Sequence, residues 1–411
     1  MDLNVDKIVD IIFIVLDIFV MTYMLYYVIT GIFAFKKPKK KKKSFKPRYK
    51  FAVVIPARNE ENVILDLISS LKLQNYDKKL YDIFVVANNC TDDTVKISEE
   101  NGAKVIECEE GIQNKGDALK FAFSKIIKME EKYTGFVVFD SDNVVHPDFL
   151  KHINNAMCQG FDVVQGYRDS KNPKDNWISS SYTLFYMIQN YFFNRARTRM
   201  NFSSSINGTG FAMTTKVLKK YGFNTKTITE DIEYAALCSL NDVKIYFEED
   251  AITYDEQPTL FDASWKQRKR WSLGTIACMK HYSGKLLKKC FKNNKLQSFD
   301  MALFYMAPII QIVTFVSMIA SIIYNITDIK SLIAKLLIIC ISYAFCVFFS
   351  IMTILLRKKK LKDYISGIFM LAFFMLTWIP INIVCLFTKN FKWDKINHDR
   401  KVKIESIVKF D

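Results

Sequence analysis

Residues 8–35 are apolar almost throughout, and the lysine-rich run KKPKKKKKSFKPRYK follows at once. Roughly 20 residues at 1.5 Å each cross the hydrocarbon core of a bilayer, so this stretch is long enough to span it. A secretory leader would carry its cations first and a small-residue cleavage site afterwards. Here the opening MDLNVD is acidic and the cations follow. That order predicts an uncleaved anchor with its N-terminus outside and the chain from Lys36 onward inside. Three further apolar runs of spanning length, 301–326, 332–356 and 364–387, come late in the chain. The link TDIKS is expected outside and RKKKLKD inside. Counting crossings puts the tail after residue 387 outside, whereas its basic sequence KNFKWDKINHDRKVK argues for inside. Pro380 interrupts the last run, so either that segment is re-entrant or the tail breaks the charge rule.

The formal net charge of +16 is therefore partly topological. A nucleic-acid binder would interleave aromatic and basic residues on one surface. The lysine run offers only Phe45 and Tyr49. Directly behind a span it reads as a headgroup-binding segment, at ~1 kcal/mol per basic residue near an anionic leaflet. The nine cysteines show no CxxC spacing, which fits reduced packing thiols in a cytosolic domain better than a disulfide framework or a zinc site.

From Phe51 the texture changes. FAVVIPA is a short continuous apolar run, as in a strand buried on both faces, and apolar residues at helical spacing follow it. The alternation continues through YDIFVVAN, TDDTVKISEENG, AKVIECE, NKGDALKFAFSKIIKMEEK and GFVVFD. Strands alternating with helices predict an α/β unit with a mostly parallel sheet. Ligands of such sheets sit beyond the carboxyl ends of the strands.

Several candidate sites fall there or just after the sheet. In FDSDN, Asp140 and Asp142 follow an apolar strand. Such a pair is either a turn former or a holder of a divalent cation carrying phosphate oxygens. In TITEDIEY, Glu230 and Asp231 precede a helical pattern. They either complement the helix dipole or supply a general base. In SWKQRKRW, Gln267 and Trp271 lie one helical turn apart with Arg270 beside them. This stretch is either a basic amphipathic helix on the membrane or an Arg fork and a Trp face for a phosphate and a sugar. The second reading turns Lys266, Arg268 and Lys269 toward solvent or lipid.

An Asp-x-Asp after a strand, then T-E-D, then Q-x-x-R-W, then apolar spans resembles the membrane-bound glycosyltransferases of family 2, among them the cellulose, hyaluronan and poly-N-acetylglucosamine synthases and ceramide glucosyltransferase. The resemblance covers nearly the whole chain. It implies an anchor (1–35), a polybasic segment (36–50), a GT-A catalytic domain with a Rossmann-like sheet (51–258), an interfacial segment (259–298), three apolar membrane segments (299–388) and a basic tail (389–411). It further implies that Pro56, Arg58, Asn59, Glu60, Asn88 and Lys115 line the nucleotide pocket. Asp140 would face the ribose or metal, and Asp142 would coordinate Mg²⁺ or Mn²⁺. Gly208, Thr209 and Gly210 would border the acceptor. Asp231, beside Glu230, would be the catalytic base. Gln267 and Arg270 would hold the departing diphosphate over Trp271, the floor of the acceptor site. One departure stands out: where the family carries a carboxylate that reads the base, this chain has Asn88 and Asn89, with Asp92 and Asp93 as possible substitutes.

The expected activity is inverting transfer of a sugar from a nucleotide sugar, first of all a UDP-sugar, onto a growing polysaccharide, with a glycolipid product as the alternative. A membrane-tethered binding protein with a decayed site is the reading from another class. The implied partners are the donor, a polysaccharide or lipid acceptor, membrane lipids and a small membrane partner subunit, without nucleic acid. The implied location is the plasma membrane, multi-pass, with the catalytic domain cytoplasmic.

Overall fold

The computed structural model describes residues 5–38, 43–112, 114–388 and 400–408. The acidic start of the chain, part of the lysine run and residues 389–399 of the basic tail lie outside the described residues.

A long apolar helix, α1 (Val5–Ile32), leads into β1 (Phe51–Ala57), α2 (Ile64–Lys72), β2 (Tyr81–Ala87), α3 (Thr94–Glu100), β3 (Lys104–Glu107), α4 (Lys115–Lys128) and β4 (Gly135–Val138). These four strands are parallel, in the order β3-β2-β1-β4. The chain leaves β1 in both directions, so the crevice beyond the ends of β1 and β4 is the topological switch point where such sheets bind ligands. Successive residues of β1 enter different cores: Ala52 and Val54 face one layer, Phe51, Val53 and Ile55 the other. Burial on both faces is why the run reads as uninterrupted apolar sequence. Pro56 is tolerated in a central strand because the pairing of β1 with β4 ends at Val54.

The second half of the sheet is mixed. After β5 (Val144–Val145), α5 (Phe149–Cys158), β6 (Val163–Ser170), α6 (Trp177–Ile188) and α7 (Ala196–Met200) comes β7 (Phe211–Thr214), antiparallel to both β4 and β6. Then follow α8 (Thr215–Tyr221), α9 (Glu230–Leu240) and β8 (Ile245–Asp255). β8 runs parallel to β6, and the edge strand β5 runs antiparallel to β8. The expected mostly parallel sheet is thus parallel in its first half, with β7 and β5 reversed.

Beyond the sheet comes the long helix α10 (Phe261–Asn293). α11 (Leu296–Tyr324) and α12 (Ile329–Leu356) are single helices, but the last apolar run is broken into α13 (Ile365–Leu376) and α14 (Trp378–Phe387). Pro380 has no N–H to donate to the carbonyl of Leu376, and the break falls at Thr377. Among the described residues four stretches, Lys7–Phe35, Leu296–Tyr324, Ile329–Leu356 and Ile365–Phe387, are long and apolar enough to cross a membrane. α1 is tied to α11 by the Tyr26 hydroxyl, which donates to Asp300 at 2.6 Å. Asp300 also accepts two hydrogen bonds from the buried Arg197 of α7. Residues 400–408 lie back against the α/β domain, with Ile404 buried between Val144 and Tyr254.

Candidate active site

The sequence Asn114-Lys115-Gly116 starts α4 at the crevice, with the Asn114 side chain capping the helix by accepting from Asp117 N–H. Lys115 is the first helical residue, and its ammonium is the hub of the site. It lies 2.6 Å from Asp140 Oδ1 and 3.1 Å from Glu230 Oε1, and it donates to the Gly208 carbonyl at 2.7 Å. Enclosure alone would lower its pKa, but the carboxylates of Asp140, Glu230 and Asp231 overcome that and raise it, so Lys115 stays charged. The strand-end loop, the glycine loop and the start of α9 therefore meet at one cation.

Gly208 has φ +78°, and a Cβ built on it would lie 3.2 Å from Asp231 Oδ2. The missing side chain leaves the face of the Asp231 carboxylate uncovered. Enclosure pushes the Asp231 carboxyl up to about 7, the neighbouring Glu230 adds to the rise, and Lys115 opposes it. Thr209 is fully buried. Its hydroxyl accepts from Asp140 N–H at 3.1 Å and donates to Asn143 Oδ1. Gly210 (φ +61°) seats the same loop on the sheet, where a Cβ would meet Thr253 at 2.7 Å.

Asp142 is nearly buried. It accepts from Asn143 Nδ2 at 3.0 Å and from Glu256 N–H at 3.2 Å. Close by, Asp255 at the end of β8 pairs with Arg168 of β6, whose Nε donates at 2.6 Å, and accepts from Gln257 at 2.6 Å. Burial pushes the Asp255 carboxyl up to about 6, against Arg168 and with help from Asp142 and Asp140. The Arg168 guanidinium lies 4.2 Å from the ring centre of Tyr186 in α6.

At the ends of β1 and β2, Asn59 and Asn89 both adopt left-handed backbone, at φ 58° and 54°. Asn59 exchanges hydrogen bonds with Thr91, donating at 3.1 Å and accepting at 2.7 Å. Glu60 N–H donates to Thr94 at 2.8 Å. Asn88, almost buried, accepts from Asn89 Nδ2 at 3.0 Å. The Asp92 carboxylate accepts from Glu61 N–H, Thr94 N–H and the Thr94 hydroxyl. It is thus committed to tying the β1 and β2 loops together. Pro56 and Arg58 flank the same loop, both half-buried.

α10 supplies the opposite wall. A Cβ at Gly274 would lie 1.9 Å from Thr229 Oγ1, so α10 touches the residue that opens α9. Gln267 and Arg270 lie seven and four positions earlier, on the Gly274 side of the helix. Gln267 Oε1 is buried with no hydrogen-bond partner, and Arg270 makes no hydrogen bond or ion pair among the described residues. Trp271 packs against the rings of Tyr182, Tyr186 and Trp378 at 6.0–6.2 Å.

Arg268 departs from the sequence expectation. It is fully buried rather than turned to solvent or lipid. It donates to the Phe374 carbonyl at 3.1 Å and the Thr377 hydroxyl at 2.7 Å, over the Phe374 ring. The broken helix pair α13–α14 covers that side of α10, which the local sequence does not reveal. Lys266 is exposed and pairs with Asp262 at 2.8 Å.

Sequence reasoning missed Arg168, Asp255, Tyr186 and Glu233. Buried Glu233 accepts from Lys226 N–H at 2.6 Å and from Thr227 N–H, and it binds the Tyr282 hydroxyl of α10. It braces the loop that presents Glu230 and Asp231. The signal was present in TITEDIE, whose third acidic residue falls one turn into the helix. A separate trio, His152, Glu248 and Asp250, has ligand atoms within 4.8 Å of one another, and none of the three lacks a protein partner.

Residues 47–274, just over half of the chain, match a family model described as "Glycosyltransferase like family 2". The chain is 25% identical over 278 residues to beta-monoglucosyldiacylglycerol synthase of a Nostoc species, covering 66% of this chain and 58% of the relative. It is 25% identical over 261 residues to poly-beta-1,6-N-acetyl-D-glucosamine synthase of Staphylococcus aureus, covering 62% and 60%. These matches span less than two thirds of either relative. The fold resembles mannosyltransferase PcManGT from Pyrobaculum calidifontis, solved with GDP-Man and Mn²⁺, at a TM-score of 0.63 and 16% identity, covering 92% of this chain and 98% of that one. The GT-A sheet, the apolar helices around it and the match across the catalytic region place the chain in glycosyltransferase family 2, and it is a glycosyltransferase.

Proposed function

We propose that the protein moves a sugar, with inversion, from a nucleotide sugar to a hydroxyl of a membrane lipid. The observation that carries the chemistry is the Asp231 carboxylate, held open by Gly208 at the start of α9, where α10 meets it through Gly274 and Thr229 and brings Gln267 and Arg270, whose polar groups have no partner among the described residues. Asp231 accepts the proton of the acceptor hydroxyl as that oxygen attacks the anomeric carbon. A carboxylate on the attacking side is the arrangement of inverting sugar chemistry. Arg270 and Gln267 bind the leaving diphosphate, and the guanidinium fork suits its oxygens. Trp271, set between Tyr182 and Tyr186, offers an aromatic face to a sugar ring. Lys115 fixes Asp140 and Glu230 and leaves Asp231 to titrate. Thr209 and Glu233 position the loops on either side. Asn88, Asn59 and Arg58 line the nucleoside end.

A divalent cation fits the carboxylate set. Asp140 and Asp142 both lie near enough to Asp255 to add to the rise that burial gives its carboxyl, so the three carboxylates share one region of the crevice. Asp142, with Asp140 beside it, would hold Mg²⁺ or Mn²⁺, and when bound the ion neutralises charge on the leaving diphosphate. Mn²⁺ in the PcManGT structure agrees with this choice.

A lipid acceptor is favoured by the apolar faces that the membrane helices expose. Ile333, Leu336, Leu337, Ile338, Ile341 and Phe345 of α12 are exposed, as are Ile11, Ile14, Val15 and Ile18 of α1. Helices with such faces meet lipid. The similarity to beta-monoglucosyldiacylglycerol synthase points the same way. Polysaccharide synthesis is the second reading, favoured by the similarity to poly-beta-1,6-N-acetyl-D-glucosamine synthase. Membranes containing the protein, given a panel of nucleotide sugars with Mn²⁺, distinguish the two. A single sugar on an organic-extractable lipid supports the first, and a long polymer supports the second. No transfer from any donor would refute both.

A further inference from the structure

The C-terminal segment 400–408 docks beside the donor site. Arg400 N–H donates to the Glu256 carboxylate at 3.2 Å, the Arg400 carbonyl accepts from Lys171 at 3.3 Å, and the Arg400 guanidinium pairs with Asp175. Val402 N–H donates to the Asp66 carboxylate of α2 at 2.8 Å. Ile404, 2% exposed, packs on Val144 and Tyr254, with Ile407 and Val408 beside it.

These contacts close around one loop. Glu256, held by Arg400, donates its own N–H to Asp142 Oδ2. Val144, held by Ile404, follows Asp142 by two residues and belongs to β5, an edge strand of two residues. So short an edge has little pairing of its own to fix it, and the tail covers it. Asp142 is therefore gripped from both flanks by a segment that arrives from the membrane helices.

We infer that residues 400–408 form a strap that positions Asp142 for donor binding and returns the chain to the catalytic side, so that α13–α14 enters the membrane without crossing it. The first part rests on the reading of Asp142 as a donor-site carboxylate. The topology follows from contact alone: a segment touching the catalytic domain cannot lie across a bilayer from it. It also decides between the crossing count and the charge of the tail in favour of the charge. Ile404 and Arg400 act through Asp142 and are positioning residues.

The test uses the full chain in nanodiscs, with Mn²⁺ binding read by electron paramagnetic resonance and kcat and KM measured in parallel. Ile404→Asp, and a chain ending at residue 399, should weaken Mn²⁺ binding by about tenfold or more, the usual cost of losing an outer support of a ligand. At saturating Mn²⁺, kcat should stay within about twofold of wild type. Should the shortened chain fail to fold, Ile404→Ala carries the same measurement. Unchanged Mn²⁺ binding in the tail variants, with binding lost in Asp142→Ala, would overturn the strap and leave the donor site standing. Retained binding in Asp142→Ala would overturn the donor-site reading itself. In sealed vesicles, an epitope at the C-terminus should be exposed on the same side as one in the catalytic domain. Opposite sides would overturn the topology.

Discussion

Replacing Gly274 with alanine would drive a methyl group into Thr229 at the point where α10 meets α9. The new Cβ would lie 1.9 Å from Thr229 Oγ1, 2.5 Å from Cγ2 and 2.7 Å from Cβ. Rotation about χ1 can move the first two atoms, but Thr229 Cβ is fixed by its backbone. Carbon atoms rest about 3.5–4.0 Å apart, so the two helices must separate by about 1 Å. Overpacking of this kind costs about 1–3 kcal/mol, and alanine's better helix propensity returns about 1 kcal/mol. The net loss of stability is then about 0–2 kcal/mol. Activity should suffer more, because the same shift moves Gln267, Arg270 and Trp271 away from Asp231. A misplacement of about 1 Å can cost roughly 100-fold in rate. The assay is transfer from a radiolabelled donor by purified enzyme, alongside thermal melting. Thr229→Gly in the same background removes all three clashing atoms and should restore most of the rate. Thr229 makes no side-chain cap to α9, so its loss costs little by itself. Near-wild-type transfer by Gly274→Ala, or no recovery with Thr229→Gly, would refute the role given to this contact.

Three further outcomes follow from the site. Arg268→Ala should lower stability by roughly 2–4 kcal/mol, through its lost hydrogen bonds to Ser264, Phe374 and Thr377 and the space left behind. Arg270→Ala should leave the melting temperature nearly unchanged and cut transfer by ~100-fold or more; thermal melting and initial rates separate the two. With the Asp231 carboxyl pushed up to about 7, its base form grows as pH rises through that value, so kcat/KM should climb between about pH 6 and pH 8. The stability sign is the reverse: the raised carboxyl favours the fold when protonated, and that contribution is lost as pH rises through about 7. Melting curves of the wild type should therefore fall from about pH 4, the ordinary Asp value, to about pH 7 relative to Asp231→Asn, and level off above that. Chelation with EDTA should abolish transfer and added Mn²⁺ should restore it, while Asp142→Ala stays inactive at any Mn²⁺ concentration.

Much of the fold was legible because periodicity reports burial. The uninterrupted run at 51–57 became a strand with both faces packed, and the apolar stretches became α1, α11 and α12 within a few residues of the expected ends. Strand direction was not legible: Phe211–Thr214 reads like any buried strand, and only its place between β4 and β6 makes it antiparallel. Asp140, Glu230 and Lys115 could each be picked out locally, but their meeting at one ammonium depends on three loops converging. Arg168 and Asp255 escaped notice because the register of β6 on β8 pairs Ser170 with Asp255, two residues beyond Arg168, and nothing in either segment signals the partner. Arg268 misled for a related reason: which face of α10 is buried is set by Phe374 and Thr377, about a hundred residues away in the chain.

The central claim is that Asp231 removes the acceptor's proton. Single-turnover transfer by Asp231→Asn, with donor affinity measured on the same preparation, addresses it directly. The substitution keeps the side chain's size and removes its basicity. The rate should fall by roughly 10²–10⁴-fold, the usual contribution of a positioned base, with donor binding preserved. Transfer at close to the wild-type rate would contradict the account.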